Sequence, residues 1–282
     1  MKDIRRAIRD QALAAVGARP AGERAAPPAA DGLFAPGSVV RKVHADFTSM
    51  MIGGVGSLLL QMLHPSALAG VWDHSDFRSD MPGRLRRTGR FVSVTTYGSR
   101  EDALATIARV REIHARVRGA LPDGTPYGAD DPALLTWVHV AEAWCFLRSY
   151  LRYREPGLSA ADQDRYFAEM AVVARLLGAE EVPTALRDAE EYVERMRPKL
   201  GWDRRTRRVA SELLSQPAVT PALAPFNGLI FEAGIDLLPV WAAEMHGLRR
   251  PPPARRRIRL GAKGAGAVLR WAMSVDAVPR RS

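Results

Sequence analysis

The side chains able to carry metal chemistry are few. Six histidines (His44, His64, His74, His114, His139 and His246) and a single cysteine, Cys145, are the only imidazole and thiol ligands in 282 residues. No two histidines stand three or four residues apart, so no helix can present a histidine pair on one face. That argues against a zinc or di-iron centre of the usual helical kind. One cysteine excludes an intramolecular disulfide and any Cys-rich zinc or iron–sulfur site supplied by this chain. There is no GxGxxG after a strand, no GxxxxGK[ST], no GxSxG and no HExxH. The glycines of Gly261-Ala262-Lys263-Gly264-Ala265-Gly266 follow no strand and read as linker.

His114 is the most informative of the six. It falls on a helical stripe with Ala103, Ile107, Val110 and Val117, and no acid shares that face. Such an imidazole is either a core histidine bonded to a backbone carbonyl or a single axial haem ligand held in an apolar pocket. His139, between Trp137 and Trp144, reads as a packed core group or as a pocket wall that donates a hydrogen bond. His64-Pro65 suits a helix terminus, and His74 lies in the polar cap cluster Asp73-His74-Ser75-Asp76. Helical spacing puts Arg84, Arg87 and Thr88 on one face. Two guanidiniums beside a hydroxyl suit carboxylates such as haem propionates; the alternative is a solvated basic face.

The elements that must position these groups are helical. From Phe47 to Trp72 there is no charged residue, a length sufficient to cross a bilayer. Its serines, Gln61, His64 and four glycines leave only Met50–Leu63 convincingly apolar, which predicts a buried core helix. Arg100-Glu101-Asp102 opens a run to Arg118. Asp130-Asp131-Pro132 form a helix start, and Ala133–Tyr153 is apolar nearly all round, as a central buried helix would be. Ser159 and Asp162 resemble a capping box opening a helix to Leu177, which Gly178 ends. Thr184–Met196 and Thr206–Leu214 are further helices, and Phe91–Thr96 is the one strand-like stretch. The expected fold is all-α, a single large helical domain of eight to ten helices.

Composition agrees with a globular body and locates the charge. Hydrophobic residues make up 47% and charged residues 26%, with a net charge of +10, which excludes a wholly disordered or fibrous chain. Residues 249–282 hold ten basic residues against one acid (+9), residues 1–46 eight against five (+3), and residues 47–248 are near neutral at −2. Hence the expected division is a basic, Ala/Pro-rich arm (1–32), a helical body (33–248) and an Arg/Pro-rich basic tail (249–282). Six arginines between 249 and 259, broken by three prolines, are expected to be solvated. They offer contact to an anionic membrane surface or to nucleic acid. Arg9 and Asp10 interrupt the apolar run that a signal peptide would need. A cytoplasmic location, with peripheral membrane contact as an option, is therefore expected.

Several segments in series resemble a known family. They are Leu58-Leu59-Leu60-Gln61-Met62-Leu63-His64-Pro65, Val71-Trp72-Asp73-His74-Ser75, Arg84-Leu85-Arg86-Arg87-Thr88, Tyr97-Gly98, Val110–Gly119 around His114, Tyr127–Pro132, Leu134–His139 and Leu176-Leu177-Gly178. Their order is similar to that in the family joining the catalytic domain of bacterial rubber oxygenase with the endoplasmic-reticulum-bound oxygenase of mycophenolic acid biosynthesis. The likeness covers residues 33–248.

The resemblance implies a globin-like core, one haem b and molecular oxygen as co-substrate. It places the proximal iron ligand on His114 and the distal Arg…Thr pair on Arg84 and Thr88. The helix carrying Trp137 and His139 would help to enclose the macrocycle. Arg87 stands where rubber oxygenase has a lysine. A guanidinium stays protonated and does not ligate iron, which counts against polyisoprene cleavage. The reading that follows is a haem-dependent oxygenase for a small apolar substrate, with Arg84, Arg87 and Thr88 lining the distal side. The sequence names neither an electron donor nor an oligomeric state. The alternatives are a haem carrier or sensor without turnover, and a non-haem helical protein binding RNA or membrane through its basic tail.

Overall fold

The computed structural model describes residues 29–218 and 224–274. Among these are twelve α-helices and one small hairpin, so the all-α expectation is met. In chain order the helices are α1 Val39–His44, α2 Phe47–Gln61, α3 Pro65–His74, α4 Met81–Tyr97, α5 Arg100–His114, α6 Pro132–Tyr153, α7 Ala160–Leu177, α8 Leu186–Met196, α9 Arg204–Leu214, α10 Ala224–Leu237, α11 Val240–Met245 and α12 Pro252–Met273. Between α5 and α6, β1 Arg118–Ala120 pairs antiparallel with β2 Pro126–Gly128, with Gly119 opposite Tyr127.

The helix starts follow local chemistry. Asp131 accepts from the amides of Ala133 and Leu134, with Pro132 in the first turn of α6. Ser159 caps α7, and Gly178 ends it in the left-handed region at φ 106°, where a Cβ would be strained. His64 caps α3, its Nδ1 accepting from the Ser66 amide, as its position before Pro65 suggested.

The uncharged stretch is two helices, not one. α2 and α3 are bent by 103° at the break, and no single described helix is long and apolar enough to cross a membrane. α2 is a core helix packed on α6 and α10. Glycines allow the approach. A Cβ on Gly53 would lie 2.7 Å from the Phe146 ring and 3.0 Å from its Cα, and one on Gly234 2.5 Å from Val55.

Three local expectations are corrected. Phe91–Thr96 is no strand but the last turns of α4. Asp80 caps that helix through the Gly83 amide, and the Thr95 hydroxyl turns back to the Phe91 carbonyl at 2.9 Å, so β-propensity yields to capping and packing. The helix from Arg100 ends at His114 rather than Arg118, because the chain there enters the hairpin.

The third correction concerns the basic segment. Residues 252–273 form a 22-residue helix, glycines included, which continues the body rather than trailing from it. Pro251 and Pro252 sit at its start, where a missing amide hydrogen costs nothing. Ala262, Gly266, Leu269 and Ala272 are buried. Arginines 255 and 259, with Arg152 of α6, surround the buried carboxylate of Asp236, and Arg270 donates to buried Asp46 at 3.0 Å. Residues 1–28, most of the expected arm, and 275–282 lie outside the described residues.

Candidate functional site

Three helices turn one face each toward a common cavity. The faces are Phe91, Val92, Thr95 and Thr96 of α4; Leu135, Val138, His139 and Glu142 of α6; and Met170, Val173, Ala174 and Leu177 of α7. The α6 and α7 sets both follow the i, i+3, i+4, i+7 rule of a helix stripe. His44 of α1, His114 at the end of α5 and Phe34 complete the wall. The atom-free space is about 570 Å³, part of it open to solvent.

The three cavity histidines differ in their bonding. His44 is satisfied at both nitrogens, Nδ1 sharing a hydrogen bond with Thr96 Oγ1 at 2.9 Å and Nε2 with the Tyr166 hydroxyl at 3.2 Å. Burial pushes its pKa down to about 3, so it is a neutral structural group. His114 and His139 have no hydrogen-bond partner among the described residues, and His114 Nδ1 and His139 Nε2 are buried and unsatisfied. Burial holds His114 below the ordinary imidazole value, with Asp130 acting in the opposite direction. It pushes His139 down to about 4, helped by Arg175. Both imidazoles are therefore neutral near pH 7, with lone pairs free. The other three histidines are bonded: His64 to the Ser66 amide, His74 to the Arg118 carbonyl and His246 Nε2 to the Leu59 carbonyl.

Glu142 was not singled out by sequence reasoning. It stands one turn after His139 on the cavity face of α6, and that i+3 relation was the available signal. It has no hydrogen-bond partner among the described residues, and burial pushes its carboxyl up to about 7. A carboxyl poised near neutrality in an apolar cavity can hold or release a proton.

The arginine–threonine segment is only partly brought to this place. Arg84 and Thr88 lie on the same face of α4 as Val92 and Thr95, one turn apart each, but outside the cavity wall. Arg84 is half-buried and without a carboxylate partner among the described residues. Its pKa falls to about 10, by burial first and by the Arg87 charge second. Thr88 is exposed. Arg87, expected on the distal side, is instead exposed and donates to Asp80, the cap of α4, at 3.2 Å. A seven-residue spacing returns its side chain to the cap and away from the cavity. Trp137 also faces elsewhere. Its indole donates to the Gln61 carbonyl at 3.4 Å and its ring packs near His64, on the α2 side of α6. Among the described residues no three His, Cys, Asp or Glu side chains gather as a metal site.

Comparison with known families gives one match. The model described as ER-bound oxygenase mpaB/B′/rubber oxygenase, catalytic domain, covers residues 41–271. That span includes nearly all of α12 and every residue lining the cavity except Phe34. No curated protein and no solved structure matches the chain.

Proposed function

Because the chain belongs to the family of mpaB-type and rubber-oxygenase catalytic domains, we propose that it is a haem-b-dependent oxygenase that oxidises a small apolar substrate with molecular oxygen. His114 is the residue proposed to hold the iron. One observation carries the reading: two neutral imidazoles without hydrogen bonds, His114 and His139, line one apolar cavity. Buried ring nitrogens normally find a partner, so an orphaned pair in such a wall fits one residue that would hold iron and a neighbour beside it. When bound, haem supplies the oxygen chemistry that no side chain here provides.

Each wall residue has a distinct task in this reading. His114 presents an unprotonated nitrogen because burial disfavours the imidazolium. The aliphatic faces of α6 and α7 bind an apolar substrate and exclude water, which strengthens every polar interaction left inside. His139 stands ready to donate one hydrogen bond. Glu142 holds a proton at its carboxyl near neutral pH and can pass it to a reacting oxygen. Arg84, an unpaired guanidinium on the α4 face leading to the cavity, suits a propionate carboxylate, and Thr88 can add a hydroxyl contact. Arg87, engaged with Asp80, is assigned to the rim.

The test is haem stoichiometry by pyridine haemochrome together with the visible spectrum. The wild-type chain should take up one haem b, and His114→Ala should lose tight binding while His44→Phe keeps it. A wild-type chain that stays colourless in excess hemin refutes the reading. So does a His114→Ala protein with full haem and an unchanged spectrum.

A further inference from the structure

The cavity uses one side of the molecule's chemistry and leaves helix α12 unexplained. Its inner side is latched by Asp236 and Asp46, the former surrounded by Arg152, Arg255 and Arg259 and the latter holding Arg270. Its outer side is unusual in two respects. Leu260 is 63% exposed and Val268 52%, and Trp271 is also exposed. Arg256, Arg257 and Lys263, exposed as well, make no ion pair among the described residues.

At 3.6 residues per turn these six side chains fall within an arc of about 140°. Leu260 and Trp271 take its middle, Arg256 and Lys263 one edge, Arg257 and Val268 the other. Gly264 and Ala267 lie between them and add no polar group. A solvated helix would put charge at the centre of its outer face, whereas here apolar side chains sit there and cations flank them.

We infer that the outer face of α12 docks on the surface of an anionic lipid bilayer, lying in the headgroup plane without crossing it. Apolar residues flanked by Arg and Lys on one helix face are the arrangement that binds such an interface. The charge distribution is complementary, since residues 249–282 carry +9 and the body −2. The two buried aspartates hold Arg255, Arg259 and Arg270 inward, whereas Arg256, Arg257 and Lys263, unpaired among the described residues, point outward. A nucleic acid would be satisfied by the cations alone and gains nothing from Leu260 and Val268. This inference is independent of the haem reading.

The experiment is co-sedimentation of the full chain with vesicles of phosphatidylcholine alone and with about 30% phosphatidylglycerol, at low and raised salt. Binding is expected only to the anionic vesicles. Replacing Arg256, Arg257 and Lys263 together by Gln should weaken it about 100-fold, from about fivefold per charge. Leu260→Ser with Val268→Ser should weaken it at least tenfold, with circular dichroism unchanged in both variants. Absence of binding to anionic vesicles would overturn the inference. So would unaltered vesicle binding by the serine variant, or poly-U binding in place of vesicle binding. A dimer dispersed by the same serine substitutions, without vesicle binding, would assign the face to a second copy and also overturn it.

Discussion

Glu142→Gln tests whether the cavity carries a real electrostatic cost. In the unfolded chain this carboxyl titrates near 4.5, and in the folded chain near 7. Below pH 4.5 both states hold the proton and no cost arises. Between 4.5 and 7 the folded state keeps a proton that the unfolded state has released, so stability falls as pH rises, by about 1.4 kcal/mol per pH unit. Above 7 the loss is complete, at about 3 kcal/mol. Glutamine has nearly the same shape and no charge to lose. The variant should therefore be more stable than wild type by about 3 kcal/mol at pH 8 and by about 0.8 kcal/mol at pH 5. Urea unfolding of the haem-free chain at the two pH values measures both figures, and titrations common to the two proteins, such as those of His44 and His139, cancel in the difference. An equal gain at pH 5 and pH 8 would mean that packing, not charge, is responsible. No gain at pH 8 would mean that Glu142 is solvated or paired in solution, and its assignment as a proton holder would fall. A gain in stability with a loss of turnover is the outcome expected of a group kept for chemistry rather than for folding.

Two further outcomes follow from the packing. Asp236→Asn leaves three guanidiniums around a neutral buried group; because the arginines are partly exposed, the low end of the range for breaking a buried pair applies, about 3 kcal/mol. Thermal melting should then fall by roughly 6–12 °C, and an unchanged midpoint would remove Asp236 as the latch of α12. Gly53→Ala must push α2 away from the Phe146 backbone, which cannot yield as a flexible side chain would. A loss of about 1–3 kcal/mol in urea is expected, and a neutral result would mean that the α2–α6 contact is looser than described.

Much of the architecture was legible because it is local. Asp131-Pro132, Ser159 and Gly178 mark helix ends through bonds to amides or carbonyls a few residues away, and the periodicity of Ala133–Tyr153 announced a helix buried on most sides. His114 could be picked out by its place on an apolar stripe, and the resemblance gave it a role. Local propensity misread Phe91–Thr96, since β-branched residues enter a helix when one of its faces is buried against other helices.

The remainder depends on residues far apart in the chain. The basic segment after Leu248 becomes a packed helix because Asp236 and Asp46, up to 224 positions away, accept ion pairs from its inward arginines; sequence composition counts charges but does not pair them. Arg87 shares a face with Arg84 by spacing, yet its long side chain reaches back to the cap carboxylate of Asp80. Trp137 and His139 are two residues apart and face different neighbours, α2 and the cavity. Which histidines keep free nitrogens, and that Glu142 joins them, was decided by how α4, α6 and α7 pack. Burial and hydrogen bonding belong to a place in the fold, whereas residue type and spacing belong to the chain.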